Sequence, residues 1–202
     1  MHEIKKLQLP KEIIPSHKEG NGRIILRIPD ATFENAQIVF DAVIKNKEEF
    51  RKWLPFPDKT NRVEDSFSFL LSVQKGFEQN ERGEYFIFEK DTGDFCGLVG
   101  MIHRKNVHDD YWTLGYWQVK DKCGKGYMTE AVQALEKFLF ENGVNRVEIR
   151  NDTRNIASAN IPKRLGYHLD GVLRQTGYAP YFNDWRNTNV WSKLKSEYRR
   201  KD

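Results

Sequence analysis

The chain has 202 residues, 39% hydrophobic and 31% charged, with a net charge of +4. That length fits one domain with short appendages, and the mild positive charge (pI near 8.9) suits an anionic ligand without requiring nucleic acid. Cys96 and Cys123 lie far apart without metal-type spacing, which argues against a disulfide framework or a zinc site. The first twenty residues lack the apolar run of a signal peptide, and the longest mainly apolar stretch, Phe95–Ile102, is too short to span a bilayer. A cytoplasmic enzyme or binding protein with no membrane partner is the expectation.

Residues 1–20 mix lysine, glutamate and two prolines without a period and read as an arm. Arg23–Ile28 predicts a first strand, ended by Pro29. Thr32 is placed to cap a helix from Phe33 to about Asn46, with Ala36, Val39, Phe40 and Val43 along one face. Trp53-Leu54-Pro55-Phe56-Pro57 is an aromatic, proline-broken loop. Val63, Phe67, Leu70, Leu71 and Phe77 recur at helical spacing and predict a second helix.

The period then changes. Tyr85–Glu89 and Phe95–Arg104 flank Asp91-Thr92-Gly93-Asp94, a hairpin turn signal. Tyr111–Val119 reads as the next strand. Met128, Val132, Leu135 and Phe138/Leu139 stripe a helix that Gly143 stops. Val147–Asn151 is a short strand and Ala157–Leu165 a short helix followed by Gly166. Tyr167–Thr176 and Asn187–Lys193 predict two final strands, and Lys195–Asp202 a charged tail. Hairpins followed by a strand–turn–helix–strand crossover give a mixed α/β sheet with helices on both faces. The domain spans residues 21–194, between the arm and the tail at 195–202.

Between the Tyr111–Val119 strand and its helix sits Lys122-Cys123-Gly124-Lys125-Gly126-Tyr127. Glycines let the backbone turn sharply and approach a ligand, and the first helical N–H groups point at it. The helix dipole adds about half a positive charge there, and Lys122 and Lys125 add two cations. These six residues alone also fit an ordinary glycine loop with solvated lysines. A nucleotide P-loop is excluded, because Gly126 stands where Ser or Thr is required and Val119 where the earlier glycine is required. No third glycine completes a Rossmann fingerprint.

Taken with its flanks, from about Arg23 to Lys193, the chain resembles the GNAT superfamily of N-acetyltransferases. The nearest branch is the RimJ/RimL type, which acetylates N-terminal amines of ribosomal proteins. Leu114-Gly115-Tyr116-Trp117 is similar to that branch's fourth strand, and Gly124-x-Gly126 follows at the spacing of its pyrophosphate turn. Asn155-x-x-Ser158 with Leu165-Gly166-Tyr167 resembles its second cofactor motif, and Trp53-Leu54-Pro55 its substrate-side loop.

The resemblance implies a mostly antiparallel sheet of about six to seven strands, splayed between the fourth and fifth, with helices on both faces. It implies acetyl-CoA as co-substrate and no metal. Backbone groups of Trp117, Gln118 and Val119 would pair with the pantetheine amides. The turn Lys122, Cys123, Gly124, Lys125, Gly126 and Tyr127 would receive the pyrophosphate, through the N–H groups of Cys123–Tyr127. Asn155 would bind the pantetheine arm, and Ser158 would sit near the thiol. Lys163 or Arg164 would reach the adenosine-side phosphate, unless both belong to a solvated helix face.

The chain also departs from the pattern. Asp121 stands where many members carry Gln or Arg. Pro162 stands where many carry the tyrosine that protonates the departing thiolate, which leaves Ser158 as the catalytic acid. Pro162 also removes a helical hydrogen bond, so its helix is expected to kink or begin late. Gln175-Thr176-Gly177-Tyr178, the segment matching the branch's general base, has no carboxylate, and the loop to Asn187 reads as long. Asp184 and His103 are substitutes, each weighed against a local structural role; water held by backbone carbonyls is the third option. Cys123, at a helix start beside lysines, is a candidate for a lowered thiol pKa. An acyl-cysteine route is not expected, because the pyrophosphate would cover it.

The reaction so implied is direct attack of a primary amine on the thioester in a ternary complex. The expected acceptor is a protein N-terminus. Small amines (a polyamine, amino acid or aminoglycoside) and a non-catalytic CoA-binding module are the alternatives, and homodimerisation is left open. Proton arithmetic favours the N-terminus. An α-amine has a pKa near 7.7–8.0 and a lysine near 10.4, so at pH 7 roughly a tenth of the first and roughly four in ten thousand of the second are neutral. An enzyme without a well-placed base loses far less with the α-amine.

Overall fold

The computed structural model describes residues 7–17, 20–106 and 110–198. Residues 1–6 of the arm and 199–202 of the tail lie outside the described residues. The chain opens with β1 (Glu12–Ile13), a small hairpin of β2 (Ser16–His17) and β3 (Gly20–Asn21), and then β4 (Ile24–Arg27). Helix α1 (Phe33–Lys45) starts where Thr32 accepts the Asn35 N–H in its side-chain oxygen, as an N-cap does. A single turn, α2 (Lys47–Phe50), leads into the Trp53 loop and then α3 (Val63–Glu78). There Asp65 accepts the backbone N–H groups of Asn61 and Arg62 at 2.9 and 3.1 Å.

Three long strands follow: β5 (Arg82–Glu89), β6 (Phe95–Lys105) and β7 (Asp110–Gln118). The crossover is α4 (Tyr127–Glu141), leading to β8 (Arg146–Asp152) and α5 (Ile156–Leu165). The chain ends in the hairpin β9 (His168–Ala179) and β10 (Asp184–Leu194), with one turn of α6 (Lys195–Tyr198) at the start of the tail. β5 begins three residues before the apolar alternation does, and β10 three residues before Asn187. Both extensions are polar and are held by pairing, Arg82 to Ile102 and Asp184 to Ala179. The segment that read as a long loop is therefore a continued hairpin, closed at Pro180–Asn183.

The sheet order is β1-β4-β5-β6-β7-β8-β10-β9. The seven main strands are joined at one edge by β1, so the sheet has eight. The arm also packs beyond that pairing: Leu9 is buried and its N–H reaches Asn80 Oδ1, while the Tyr85 hydroxyl donates to the Pro10 carbonyl. All pairings are antiparallel except β7 with β8, which runs parallel only from Trp112 to Leu114 and then parts. β8 continues beside β10 through Asp152, so the strands diverge between the fourth and fifth of the main seven.

Alternation along the strands divides the core into two layers. Tyr85, Ile87, Val99, Met101, Trp112 and Leu114 face α4, against Met128, Val132, Leu135 and Leu139. Phe86 and Leu98 face the other way, against Ala36, Val39 and Val43 of α1 and Leu70 of α3, with Trp117 packed beside them. Leu135 and Leu139 are fully buried, which is worth about 1.5–3 kcal/mol each. Leu71, one step off that α3 stripe, is 50% exposed. Among the described residues no helix is long and apolar enough to cross a membrane.

Candidate active site

The divergence begins at Gly115. From there to Gln118 the β7 edge that faces β8 has no strand partner among the described residues. Immediately beyond, Gly124 and Gly126 take left-handed backbone angles, φ +80° and +83°, a region that residues with a Cβ resist. A Cβ on Gly124 would meet nothing within 4 Å, and one on Gly126 only Arg23 Nη2 at 3.3 Å. The glycines are thus required by the turn, and the space over them is open. Gly126 caps α4, whose first internal bond runs from the Glu130 N–H, leaving the N–H groups of Tyr127, Met128 and Thr129 without helical partners. The Cys123 N–H is spent on the Lys120 carbonyl at 3.1 Å, so the donor set begins after it.

The lysines behave differently from the sequence expectation. Lys122 donates to Glu89 Oε2 at 2.5 Å and Asp94 Oδ2 at 2.6 Å, and both bonds push its pKa up. Tyr127 donates its hydroxyl to the other Glu89 oxygen, and Lys125 Nζ stands 3.7 Å from it. Bonds from Lys122 and Tyr127 hold Glu89 down to about 2, and Glu89 in turn pushes the Tyr127 phenol up to about 12. The ammonium of Lys122 is therefore balanced by acids. Cys123 is exposed, and its thiol pKa is raised by burial and by Glu49 and Asp121. The lowered value suggested by its position is not found.

The second motif builds the opposite wall. Asn155 caps α5, its Oδ1 accepting the Ser158 N–H at 3.0 Å. α5 begins at Ile156 and runs through Pro162 to Leu165, so it does not begin late. Pro162 has no N–H for the Ser158 carbonyl four residues back. Tyr116 of β7 fills that vacancy, donating its hydroxyl to Ser158 O at 3.0 Å. Ser158 Oγ donates to the same hydroxyl at 3.3 Å. Burial pushes the Tyr116 phenol up to about 12. Tyr116 was not singled out from the sequence; its partner lies in another element and no local spacing signals it.

These walls enclose a groove of about 1150 Å³. Of the residues expected to hold the cofactor, Trp117, Gln118, Cys123, Gly124, Gly126, Asn155 and Ser158 line it; Val119, Lys122, Lys125 and Tyr127 do not. The Trp117 ring itself turns into the α1–α3 layer, against Phe50 and Phe95. Arg164 lines the groove and donates to Thr129 Oγ1, whereas Lys163 lies over the Trp191 ring. Arg23 also lines it and is fixed there by Glu130 and the Lys125 carbonyl. Two left-handed glycines, free N–H groups at a helix start and an unpaired strand edge fit a diphosphate that continues into an amide-bearing arm.

A second cavity of about 880 Å³ lies on the α1–α3 face of the sheet. The two cavities share Leu54, Leu114, Gly115, Tyr116, Trp117 and Arg150, so they meet at the divergence. Neither substitute base lines either of them. His103 Nε2 is 2.7 Å from Asp110 Oδ1 and the ring stacks on Trp112. Asp184 pairs with Arg154 and accepts the Trp185 N–H. Among the described residues no cluster of His, Cys, Asp and Glu is placed to hold a metal.

Comparison with known proteins agrees with this geometry. Residues 23–168 match the family model described as "Acetyltransferase (GNAT) domain". The ribosomal-protein-serine acetyltransferase of Escherichia coli (strain K12) is 26% identical over 163 residues, covering 77% of this chain and 85% of that protein. The structure of RimL, a ribosomal L7/L12 alpha-N-protein acetyltransferase in complex with coenzyme A, superposes with a TM-score of 0.79 at 21% identity, over 90% of this chain and 97% of that one. The microcin C7 self-immunity acetyltransferase MccE, in complex with acetyl-CoA and AMP, superposes with a TM-score of 0.78 at 24% identity, over 94% and 99%. With the family model spanning the divergent strands, the glycine turn and the Asn155–Ser158 helix alike, the chain belongs to the GNAT acetyltransferase family.

Proposed function

We propose that the chain transfers the acetyl group of acetyl-CoA to the N-terminal α-amine of a protein, by direct attack within a ternary complex. The observation that carries this reading is the pair of cavities on opposite faces of the sheet, meeting where β7 leaves β8. The groove beside α4 and α5 suits the donor, and the cavity under α1 and α3 suits the acceptor. That second cavity is lined by Lys59, Arg82, Arg104 and Arg150 against Asp65 and Glu84. An excess of cations repels a polyamine, which carries several positive charges, and tolerates a peptide that carries one at its end. The name of the Escherichia coli relative points the same way. Protein N-termini and acetyl-CoA meet in the cytoplasm, the compartment this reading assigns.

In this reading the free N–H groups at the start of α4 bind the diphosphate, and the open β7 edge aligns the arm. Bound there, acetyl-CoA supplies an activated acetyl thioester. A β7 N–H stabilises the charge that develops on the carbonyl oxygen. Ser158 gives a proton to the departing sulfur, and Tyr116, hydrogen-bonded to Ser158 Oγ, holds that hydroxyl in place. Holding both reactants at one divergence supplies much of the acceleration.

The test is a competition between twin peptides, one with a free N-terminus and a blocked lysine, the other blocked the opposite way. Mass spectrometry of the products should show acetylation of the free N-terminus in preference to the lysine. Predominant lysine modification, or turnover of polyamines alone, would overturn the acceptor assignment.

A further inference from the structure

No carboxylate stands where the acceptor's proton acceptor was sought, but one stands elsewhere on the acceptor face. Glu84 of β5 is 8% exposed and lines the cavity under α1 and α3. In register it is opposite Gly100 of β6, and Gly100 is opposite Gly115 of β7. Directly opposed residues of antiparallel strands share a face. Glu84 and the two glycines therefore form one row across the sheet, ending at the divergence.

Neither glycine raises a side chain into that row. The carboxylate already fills the first gap, for a Cβ on Gly100 would lie 2.3 Å from Glu84 Oε2. The second gap is open: a Cβ on Gly115 would meet nothing within 4 Å, and both cavities reach it. Neighbouring strands are about 4.8 Å apart, so Oε2 stands about one strand spacing from the space over Gly115.

The two carboxylate oxygens are not equivalent. Arg82 donates to Oε1 from Nε at 3.0 Å and from Nη2 at 2.8 Å. Oε2 has no hydrogen-bond partner among the described residues. Burial pushes the carboxyl above its ordinary pKa, against the pull of Arg82. Ser66 of α3, 3% exposed, lines the same cavity, and its buried hydroxyl has no partner either. An ion pair kept for stability alone would need neither the free oxygen nor the cleared row.

We propose that Glu84 receives the acceptor's ammonium over the Gly100–Gly115 row and takes its proton, directly or through one water. This rests on the reading that a primary amine is the acceptor. Oε2 takes one proton from the ammonium and leaves a neutral amine. As the amine's N–C bond forms, the thioester C–S bond breaks and its electron pair goes to sulfur. The extra proton on the new amide nitrogen leaves for solvent, and Ser158 protonates the sulfur and is reprotonated by solvent. Glu84 then returns its own proton to water, so the products are amide, thiol and one proton.

The test uses the full chain, acetyl-CoA, and two acceptors, a peptide with a free N-terminus and spermidine. At pH 7 Glu84→Gln should lower kcat/KM by about tenfold for the peptide, whose α-amine is then about a tenth neutral, and by more for spermidine, whose amines are more basic, with CoA affinity by calorimetry unchanged within about twofold. The rising limb that Glu84 ionisation gives the wild-type pH profile should vanish, leaving peptide activity that rises with the neutral-amine fraction and levels off near the α-amine pKa of about 7.7–8.0. Gly100→Ala, which displaces Oε2 without changing charge, should reproduce the loss. Glu84→Asp keeps the charge and should fall between; it decides the matter if the Gln variant does not fold. A Glu84→Gln enzyme within about threefold of wild type with the same pH profile, or one that loses CoA binding in equal measure, would overturn the proposal. Turnover of spermidine but not peptide would overturn the acceptor reading instead, and the Glu84 effect is then read on spermidine. If neither acceptor turns over, peptide binding to the CoA-loaded protein decides: Glu84→Gln should weaken it about tenfold, one pK unit of interaction, and unchanged binding would overturn the proposal.

Discussion

The Tyr116 hydroxyl occupies the place in the α5 hydrogen-bond ladder that an N–H at residue 162 would otherwise fill. This single contact ties the divergent strand to the helix that carries the catalytic candidate. It predicts a coupling between two residues far apart in sequence. Tyr116→Phe should cost about 1–2 kcal/mol by leaving the Ser158 carbonyl unpaired, and should lower kcat while CoA affinity holds. In a Pro162→Ala background, where the helix can supply its own N–H, the same substitution should cost clearly less stability. Chemical denaturation of the four proteins measures the coupling, and equal costs in both backgrounds would exclude it. The proline was legible in the sequence as a helix breaker and as the loss of a family tyrosine. Its compensation was not, because a donor arriving from another strand leaves no trace in local spacing. Glu84 escaped for a similar reason: its significance lies in the empty positions of the two strands beside it.

The glycine turn and α4 act as one element, and here the sequence was most informative. Two glycines before an apolar stripe specified both the left-handed turn and the helix it opens, because few other residues accept φ near +80° at Gly124 and Gly126. Gly126→Val should therefore weaken CoA binding by about tenfold or more, through strain in the turn and crowding of Arg23. Calorimetric titration of the folded variant checks it, and unchanged affinity would remove the turn from the donor site. The chain of strands and helices was legible wherever apolar residues kept a period. It failed at polar strand ends, Arg82–Glu84 and Asp184–Arg186, which are held by ladder pairing, and at β1, whose two residues carry no pattern. The acids that bind Lys122 were not legible beside it, because Glu89 and Asp94 come from the preceding hairpin.

At the scale of the whole molecule, one divergence in an otherwise continuous sheet creates both compartments, and strand alternation assigns their linings. Tyr116 faces the α5 side, while Gly115 and Trp117 face the α1–α3 side. The Trp53 loop meets Phe182 of the β9–β10 connection at 5.3 Å between ring centres, so the loop after α2 is joined to the final hairpin. The net charge of +4 suggests attraction of an anionic cofactor over distance, yet the Glu89 cluster says otherwise for the turn itself. The Lys122 ammonium is already matched by Glu89 and Asp94, so in the proposed donor site the oriented N–H dipoles would do most of the holding. Dissolved salt shortens the reach of free charges from about 10 Å at 0.1 M to about 3 Å at 1 M, but it leaves short N–H bonds intact. CoA affinity should accordingly fall by less than about fivefold between those two concentrations. A steep decline in a salt titration would show that Lys122 abandons its carboxylates for the ligand. A shallow one would make this a protein that recognises a highly charged cofactor while remaining nearly indifferent to ionic strength.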